Sequence, residues 1–148
     1  GATGVAGAVP GIANLVNMPG CPANVVNLVG VVVYLLAYNR LPELEGDGRP
    51  RFAYHDEVHK HCERKRFKDQ DKYVLAWGDY GHQQGWCLKK MGCRGPDTGH
   101  NCPIVRWNEE TSWPIGAGHH CIGCARRNFW DRATPFYARS SEGAKDDD

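Results

Sequence analysis

The stretch Cys87 to Cys124 reads CLKKMGCRGPDTGHNCPIVRWNEETSWPIGAGHHCIGC and holds five of the chain's seven cysteines: Cys87, Cys93, Cys102, Cys121 and Cys124. Between them stand Gly92, Gly95, Pro96, Gly99, Pro103, Pro114, Gly116, Gly118 and Gly123. A packed core needs bulk and regular backbone, so thiols in loops this rich in Gly and Pro do not read as core fillers. Such loops bend tightly around a small inorganic object and turn free amides towards anionic sulfur. Upstream, His59 and Cys62 form an H-x-x-C pair that adds an imidazole and a further thiolate. The stretch points to metal, and to more than one centre.

Working outward, the totals set bounds. A chain of 148 residues at 41% hydrophobic content suffices for one globular domain. With 18 Lys+Arg against 17 Asp+Glu, the charge is nearly balanced. A nucleic-acid partner would call for a clear basic excess, so that class is set aside. The odd number of cysteines leaves one over in any complete disulfide framework. No apolar run approaches the roughly 18–20 residues of a membrane span, and no secretory signal stands at the start. Because the chain begins at Gly1 rather than Met, we expect a fragment or a processed piece.

Residues 1–13 are small and Gly-rich, and their glycine spacing is not that of a dinucleotide-binding loop. Ile12 to Met18 is expected to form a short strand, stopped by Pro19-Gly20. Cys21 follows at a turn. Asn24 predicts the N-cap of a helix over Val25 to Tyr38, whose sequence VVNLVGVVVYLLAY is apolar on every side and predicts burial between layers. Asp56 to Arg66 is expected to be helical, with His59 and Cys62 on one face. Lys60, Arg64, Lys65, Arg66 and Lys68 read as an ordinary solvated face, or more sharply as a docking patch for an acidic redox partner. Residues 69–90 read as helical with a break near Gly78 to Gly81, which puts Cys87 in a last helical turn, Gly92 at the stop and Cys93 just beyond. His55, His61, His82, His100, His119 and His120 are expected at the surface or behind the ligands. Trp107, Trp113, Phe129, Trp130, Phe136 and Tyr137 form an aromatic zone that would shield thiolates from water. Residues 140–148 end in three Asp and are expected to be a disordered tail.

Three chemistries fit these thiols. Zinc favours paired knuckles, and only Cys121-x-x-Cys124 has that spacing. Disulfides suit an exported chain but leave a thiol over. Iron–sulfur clusters accept irregular spacing, because the corners of a cube lie further apart than the ligands of one ion. His59, Cys62, Cys87 and Cys93 make four ligands, Cys102, Cys121 and Cys124 make three, and Cys21 remains. Spacing places iron–sulfur ahead of a zinc-stabilised interaction module without redox activity, and both stay open at this point.

The ordered motifs resemble a known family, the small, electron-transferring subunit of nickel–iron hydrogenases. The resemblance runs from Asn17-Met18-Pro19-Gly20-Cys21-Pro22 through Leu41-Pro42-Glu43-Leu44, His59-x-x-Cys62, Gly85-Trp86-Cys87 and Met91-Gly92-Cys93. It continues through Gly95-Pro96-Asp97-Thr98, Asn101-Cys102-Pro103, Trp113-Pro114, Cys121-Ile122-Gly123-Cys124 and Asn128-Phe129-Trp130-Asp131 to Pro135-Phe136-Tyr137. Two departures stand out: Val25-Val26 where Pro-Asp is common, and His120 where a Pro commonly precedes Cys121.

The resemblance implies that His59, Cys62, Cys87 and Cys93 ligate a distal 4Fe–4S cluster, and that Cys102, Cys121 and Cys124 ligate a medial 3Fe–4S cluster. Pro114 would stand at the non-ligating fourth position of the medial site. Cys21 would be the last ligand of a proximal 4Fe–4S cluster whose partners belong to a flavodoxin-like amino-terminal half. It also implies a partner large subunit that carries the nickel–iron catalytic centre, so this chain would hold no catalytic residue and would relay electrons from dihydrogen oxidation. The onward redox partner would be a cytochrome or a quinone-linked protein, in a periplasmic or membrane-associated setting. The fold expected is mainly α with extensive irregular loops. Residues 1–40 would be a remnant of the flavodoxin-like domain, residues 41–139 the iron–sulfur cluster domain, and residues 140–148 the acidic tail.

Overall fold

Asn24 begins the longest regular element. Its side chain accepts from the amide of Val26 at 2.9 Å, and the helix it caps, α2, runs over Val25–Tyr38 until Asn39 turns left-handed at φ 50. This asparagine cap starts the helix directly before Val25-Val26. The computed structural model describes residues 4–126 and Phe129. A single turn, α1 (Val5–Ala8), precedes α2.

The expected burial of α2 between layers is not found. Only Asn27 and Val31 are buried on it, while Leu28, Val29, Val32, Val33, Leu35 and Leu36 are exposed. The helix is seated by one narrow stripe, and its hold is polar. Asn27 and Asn101 exchange two side-chain hydrogen bonds of 2.8 and 2.9 Å, and Asn24 Nδ2 donates to the Arg106 carbonyl at 2.6 Å. Gly30 faces the Phe52 ring, where a Cβ would make ordinary van der Waals contact.

The strand expected over Ile12 to Met18 does not form. Asn14 is left-handed at φ 58, and the segment's long-range backbone pairing is Asn17 N–H to the Gly48 carbonyl at 2.9 Å, rather than a ladder. Among the described residues, β-pairing is limited to isolated bridges: Leu44 with Pro50, Glu57 with Gly99, Tyr73 with Cys87, and Trp107 with Ser112.

After α2 come single turns joined by loops. They are α3 (Arg51–Tyr54), a 3-10 turn at Val58–His61, α4 (Lys65–Lys68), α5 (Tyr80–Gln83), 3-10 turns at Lys89–Met91 and Gly95–Asp97, and α6 (Cys102–Val105). The helix expected over residues 56–66 is therefore cut in two. Its first part is the 3-10 turn, after which Cys62 goes extended at φ −71, ψ 127. The helix expected over residues 69–90 reduces to α5 and the following 3-10 turn. Asp79 prevents its continuation, because its carboxylate accepts from the amides of Leu75, Ala76 and His82 and so starts a new turn. Cys87 lies in an extended segment, its amide bonded to the Lys72 carbonyl and its carbonyl to the Val74 amide. Gly92 does end the preceding turn, at φ 92, with Cys93 just beyond.

The core is small. Val58, Val74, Leu88, Met91, Cys102, Trp113 and Ile115 form it, and Cys62, Trp86, Cys93, Trp107 and Cys121 pack against it. The thiols thus lie within the core, contrary to the reading of the loops as separate from it. A second, smaller nucleus joins Ala53, Tyr54 and Ala125, with Met18 against them. Among the described residues, no helix is long and apolar enough to cross a membrane. Trp130, Phe136, Tyr137 and the tail from residue 140 lie outside the described residues.

Asn24 is fully buried and serves both the cap and the Arg106 carbonyl. Asn24→Ala should cost about 1–3 kcal/mol, read as a lowered denaturation midpoint. Asn24→Asp should lose at least as much, because it keeps the cap but sets a buried carboxylate oxygen against the Arg106 carbonyl.

Candidate metal centre

The first group of ligands is assembled by three local devices. The 3-10 turn at Val58–His61 carries His59, and its end presents Cys62, whose amide bonds the His59 carbonyl at 3.3 Å. The bridge to Tyr73 fixes Cys87, and the glycine stop after Met91 places Cys93. Cys62, Cys87 and Cys93 sense one another electrostatically. A Cβ added at Gly95 would meet Cys93 Sγ at 3.5 Å and the His59 amide nitrogen at 3.8 Å, so the histidine's segment runs beside this sulfur.

Backbone amides face these sulfurs. Arg64 donates to Cys62, Lys89 to Cys87, and both Gly95 and Cys121 to Cys93. Burial nonetheless dominates: it pushes the Cys62 thiol up to about 11 and raises Cys87 and Cys93. Burial, with Lys68 and Lys65 nearby, lowers the His59 pKa and keeps the imidazole neutral, the form that ligates a metal. Its Nε2 is buried without a hydrogen-bond partner.

The second group lines a cavity of about 250 Å³ in which Cys102, Cys121 and Cys124 meet Pro114, Trp113, Ile115 and His120. Cys21 lines the same cavity. Cys102 opens α6, and its sulfur lies 2.7 Å from His100 Nδ1. Cys121 takes a backbone amide from Gly123 and donates to the Thr98 hydroxyl at 3.9 Å. Burial pushes Cys121 up to about 12 and raises Cys102 still further. Cys124 donates to Cys21, which holds Cys21 down to about 7 and raises Cys124.

Cys62, Cys87 and Cys93 thus act on one another, Cys102, Cys121, Cys124 and Cys21 share the cavity, and Cys93 and Cys121 lie close enough to act on each other across the two sets. Among the described residues, no three His, Cys, Asp or Glu side chains converge on one point as a single ion requires. Donor sets of buried thiols with amides aimed at their sulfurs, and an imidazole nitrogen left without a partner, fit an iron–sulfur cluster.

Some of the surroundings lay beyond sequence reasoning. Tyr54 is buried, donates to the Pro19 carbonyl at 2.8 Å and meets His100 edge-on at 4.9 Å, thereby tying the Cys21 loop to the cavity. Arg49 donates to the Ala125 carbonyl and fixes the Cys124 turn. Trp77 stacks on His119 and His120, with centroids at 5.7 and 5.8 Å. No local motif announces these partners, because each lies far along the chain. His100 and His120 are fully buried, His55 and His61 are exposed, and His82 reaches the Gly118 carbonyl at 2.9 Å. Arg64 does not belong to the solvated basic face, since it is buried and donates to the Trp86 carbonyl at 2.9 Å. Lys60, Lys65 and Arg66 are exposed.

Thiol ionisation gives a pH prediction. Cys62 and Cys121 start from an ordinary thiol value of 9.0 and are raised to about 11 and about 12 in the fold. Metal-free protein should hold its stability below pH 9 and lose it as pH climbs through this window, because the unfolded chain ionises first. Denaturant midpoints across that range check it. In the same protein Cys21, held down to about 7, should be the first thiol taken by iodoacetamide near neutral pH.

Comparison with known proteins gives a consistent picture. The family model for the C-terminal part of the NiFe/NiFeSe hydrogenase small subunit matches residues 54–137. The uptake hydrogenase small subunit of Azotobacter vinelandii is 45% identical over 125 residues, which cover 84% of this chain and 35% of that protein. The periplasmic NiFe hydrogenase small subunit 1 of Nitratidesulfovibrio vulgaris is 42% identical over 124 residues, covering 84% of this chain and 39% of that protein. Among solved structures, a reduced, active Ni-Fe-Se hydrogenase from Desulfomicrobium baculatum superposes with a TM-score of 0.75 at 32% identity, covering 85% of this chain and 46% of that one. The chain spans a little over a third of the length of these curated relatives. By the extent of the family match, it belongs to the family defined by the C-terminal part of the NiFe/NiFeSe hydrogenase small subunit.

Proposed function

We propose that this chain is the cluster-holding part of the small, electron-transferring subunit of a nickel–iron hydrogenase, working beside a large subunit that carries the catalytic centre. The observation that supports the reading is that Cys102, Cys121 and Cys124 line one cavity while Cys62, Cys87 and Cys93 act on one another, within a chain of this family. His59, Cys62, Cys87 and Cys93 would hold a distal 4Fe–4S cluster, and Cys102, Cys121 and Cys124 a medial 3Fe–4S cluster with Pro114 offering no donor. Such clusters, when bound, supply one-electron redox chemistry without rearranging the protein.

The chain's own residues do the rest. Amides of Arg64, Lys89, Gly95, Cys121 and Gly123 point at the sulfurs and offset their negative charge. Trp113 and Ile115 line the cavity and exclude water, and the hydrophobic shell around a cluster is one of the factors that set its reduction potential. His59 lies within the field of Lys65 and Lys68, on the side where Lys60 and Arg66 are also exposed. That basic face suits an acidic redox partner such as a cytochrome or a quinone-linked protein. The setting would be periplasmic or membrane-associated, as for the relative named periplasmic. The comparisons lend no support to a redox-inactive zinc module.

Iron with acid-labile sulfide and a brown colour is the expected composition of purified protein. Colourless protein carrying zinc would overturn the proposal. In the complex with a large subunit, His59→Ala should slow reduction of an external acceptor about tenfold or more while leaving subunit association unchanged. Equal loss of both would remove the special role given to His59.

A further inference from the structure

Behind Cys102 stands an imidazole that the ligand set does not use. His100 is 1% exposed, and its Nδ1 lies 2.7 Å from the Cys102 sulfur. Two aromatic rings hold it in place: Tyr54 meets it edge-on at 4.9 Å, and Trp107 stacks on it at 6.3 Å with 18° between the planes. The backbone is fixed as well. The His100 amide donates to the Asp56 carbonyl at 3.0 Å, and the Asn101 amide to the Ala53 carbonyl at 2.8 Å. Just before them, Gly99 pairs with Glu57 and presses on the Tyr54 carbonyl, which a Cβ at Gly99 would strike. The ring is thereby locked with Nδ1 on the sulfur.

The other ring nitrogen decides where the proton sits. Nε2 is buried and has no hydrogen-bond partner. A neutral imidazole carries one N–H, and on Nε2 it would be an orphaned buried donor; a charged ring would orphan one too. On Nδ1 the proton has an acceptor, the Cys102 sulfur. A metal-bound thiolate carries negative charge and no proton, so it takes such a bond better than a thiol does. We propose that His100 is a positioning residue for the Cys102 ligand: its Nδ1–H donates to the sulfur, fixes the sulfur's direction and raises the reduction potential of the cluster that Cys102 helps to hold. This rests on the iron–sulfur reading above. When one electron arrives along the relay, the added negative charge falls partly on the ligand sulfurs. The N–H dipole stabilises that charge, and no proton changes place.

The test is a redox titration of the full chain with its clusters in place, followed by electron paramagnetic resonance. His100→Leu removes the donor, and His100→Asn keeps an N–H on a side chain of similar reach. The leucine variant should shift the three-iron signal's redox equilibrium about tenfold towards the oxidised state, which is about 59 mV lower for one electron. The asparagine variant should stay within about twofold of wild type, and the distal cluster's potential should not move in either. Equal shifts in the two variants, or no shift in the leucine variant, would overturn the proposal while leaving the cluster reading intact. A second measurement needs no folded leucine variant. In wild-type protein labelled with nitrogen-15 at histidine, the three-iron signal should show a weak imidazole coupling that His100→Asn abolishes. Its absence from wild type, or its persistence in the variant, would overturn the proposal. Absence of iron and sulfide from every sample would overturn the cluster reading and this inference together.

Discussion

Crowding of thiols away from water is the constraint on which the structure turns. Burial works against ionisation at Cys62, Cys87, Cys93, Cys102 and Cys121, and at Cys124 the hydrogen bond to Cys21 adds to it. Sulfurs that are costly to charge one by one can be charged together only if cationic metal is brought in among them. Cys62, Cys93, Cys102 and Cys121 belong to the main apolar nucleus or pack against it, so cohesion and ligand supply are the same contacts. Ligand binding and folding are coupled in small metal domains for this reason.

With so few bulky apolar residues, polar fasteners position the loops. Tyr54 holds Pro19, Arg49 holds Ala125, Arg64 holds Trp86 and His82 holds Gly118, each by donating to a backbone carbonyl or contacting one. Each fastener spans a long sequence separation and ends near a thiol-bearing turn. Irregular backbone can be fixed this way because a carbonyl is an acceptor wherever it points, with no ladder needed.

The same feature explains what could be read from the sequence. Asn24 and the unbroken run after it defined α2, and Gly92 defined the stop before Cys93, because caps and stops are local chemistry. The proposed grouping of Cys62, Cys87 and Cys93 apart from Cys102, Cys121 and Cys124 comes from the family motifs, not from spacing. The helices expected over residues 56–66 and 69–90 were not, because Asp79 and the Tyr73–Cys87 bridge redirect the backbone through contacts that no periodicity encodes. Burial of α2 was misjudged for a related reason: its apolar residues suggested layers, whereas its seat is made by asparagines. Tyr54 and Arg49 were missed because their partners lie far away in the chain.

The paired carboxamides of Asn27 and Asn101 have a consequence of their own. Each amide gives one bond and takes one, so the joint is neutral and self-complementary, and no proton or counter-ion enters its balance. Ionic strength and acidity, which govern the lysine-rich face beside His59, leave this joint untouched. Asn101 directly precedes Cys102, so the long helix hands that cysteine a mooring indifferent to the solution conditions that act on the charged residues packed nearby.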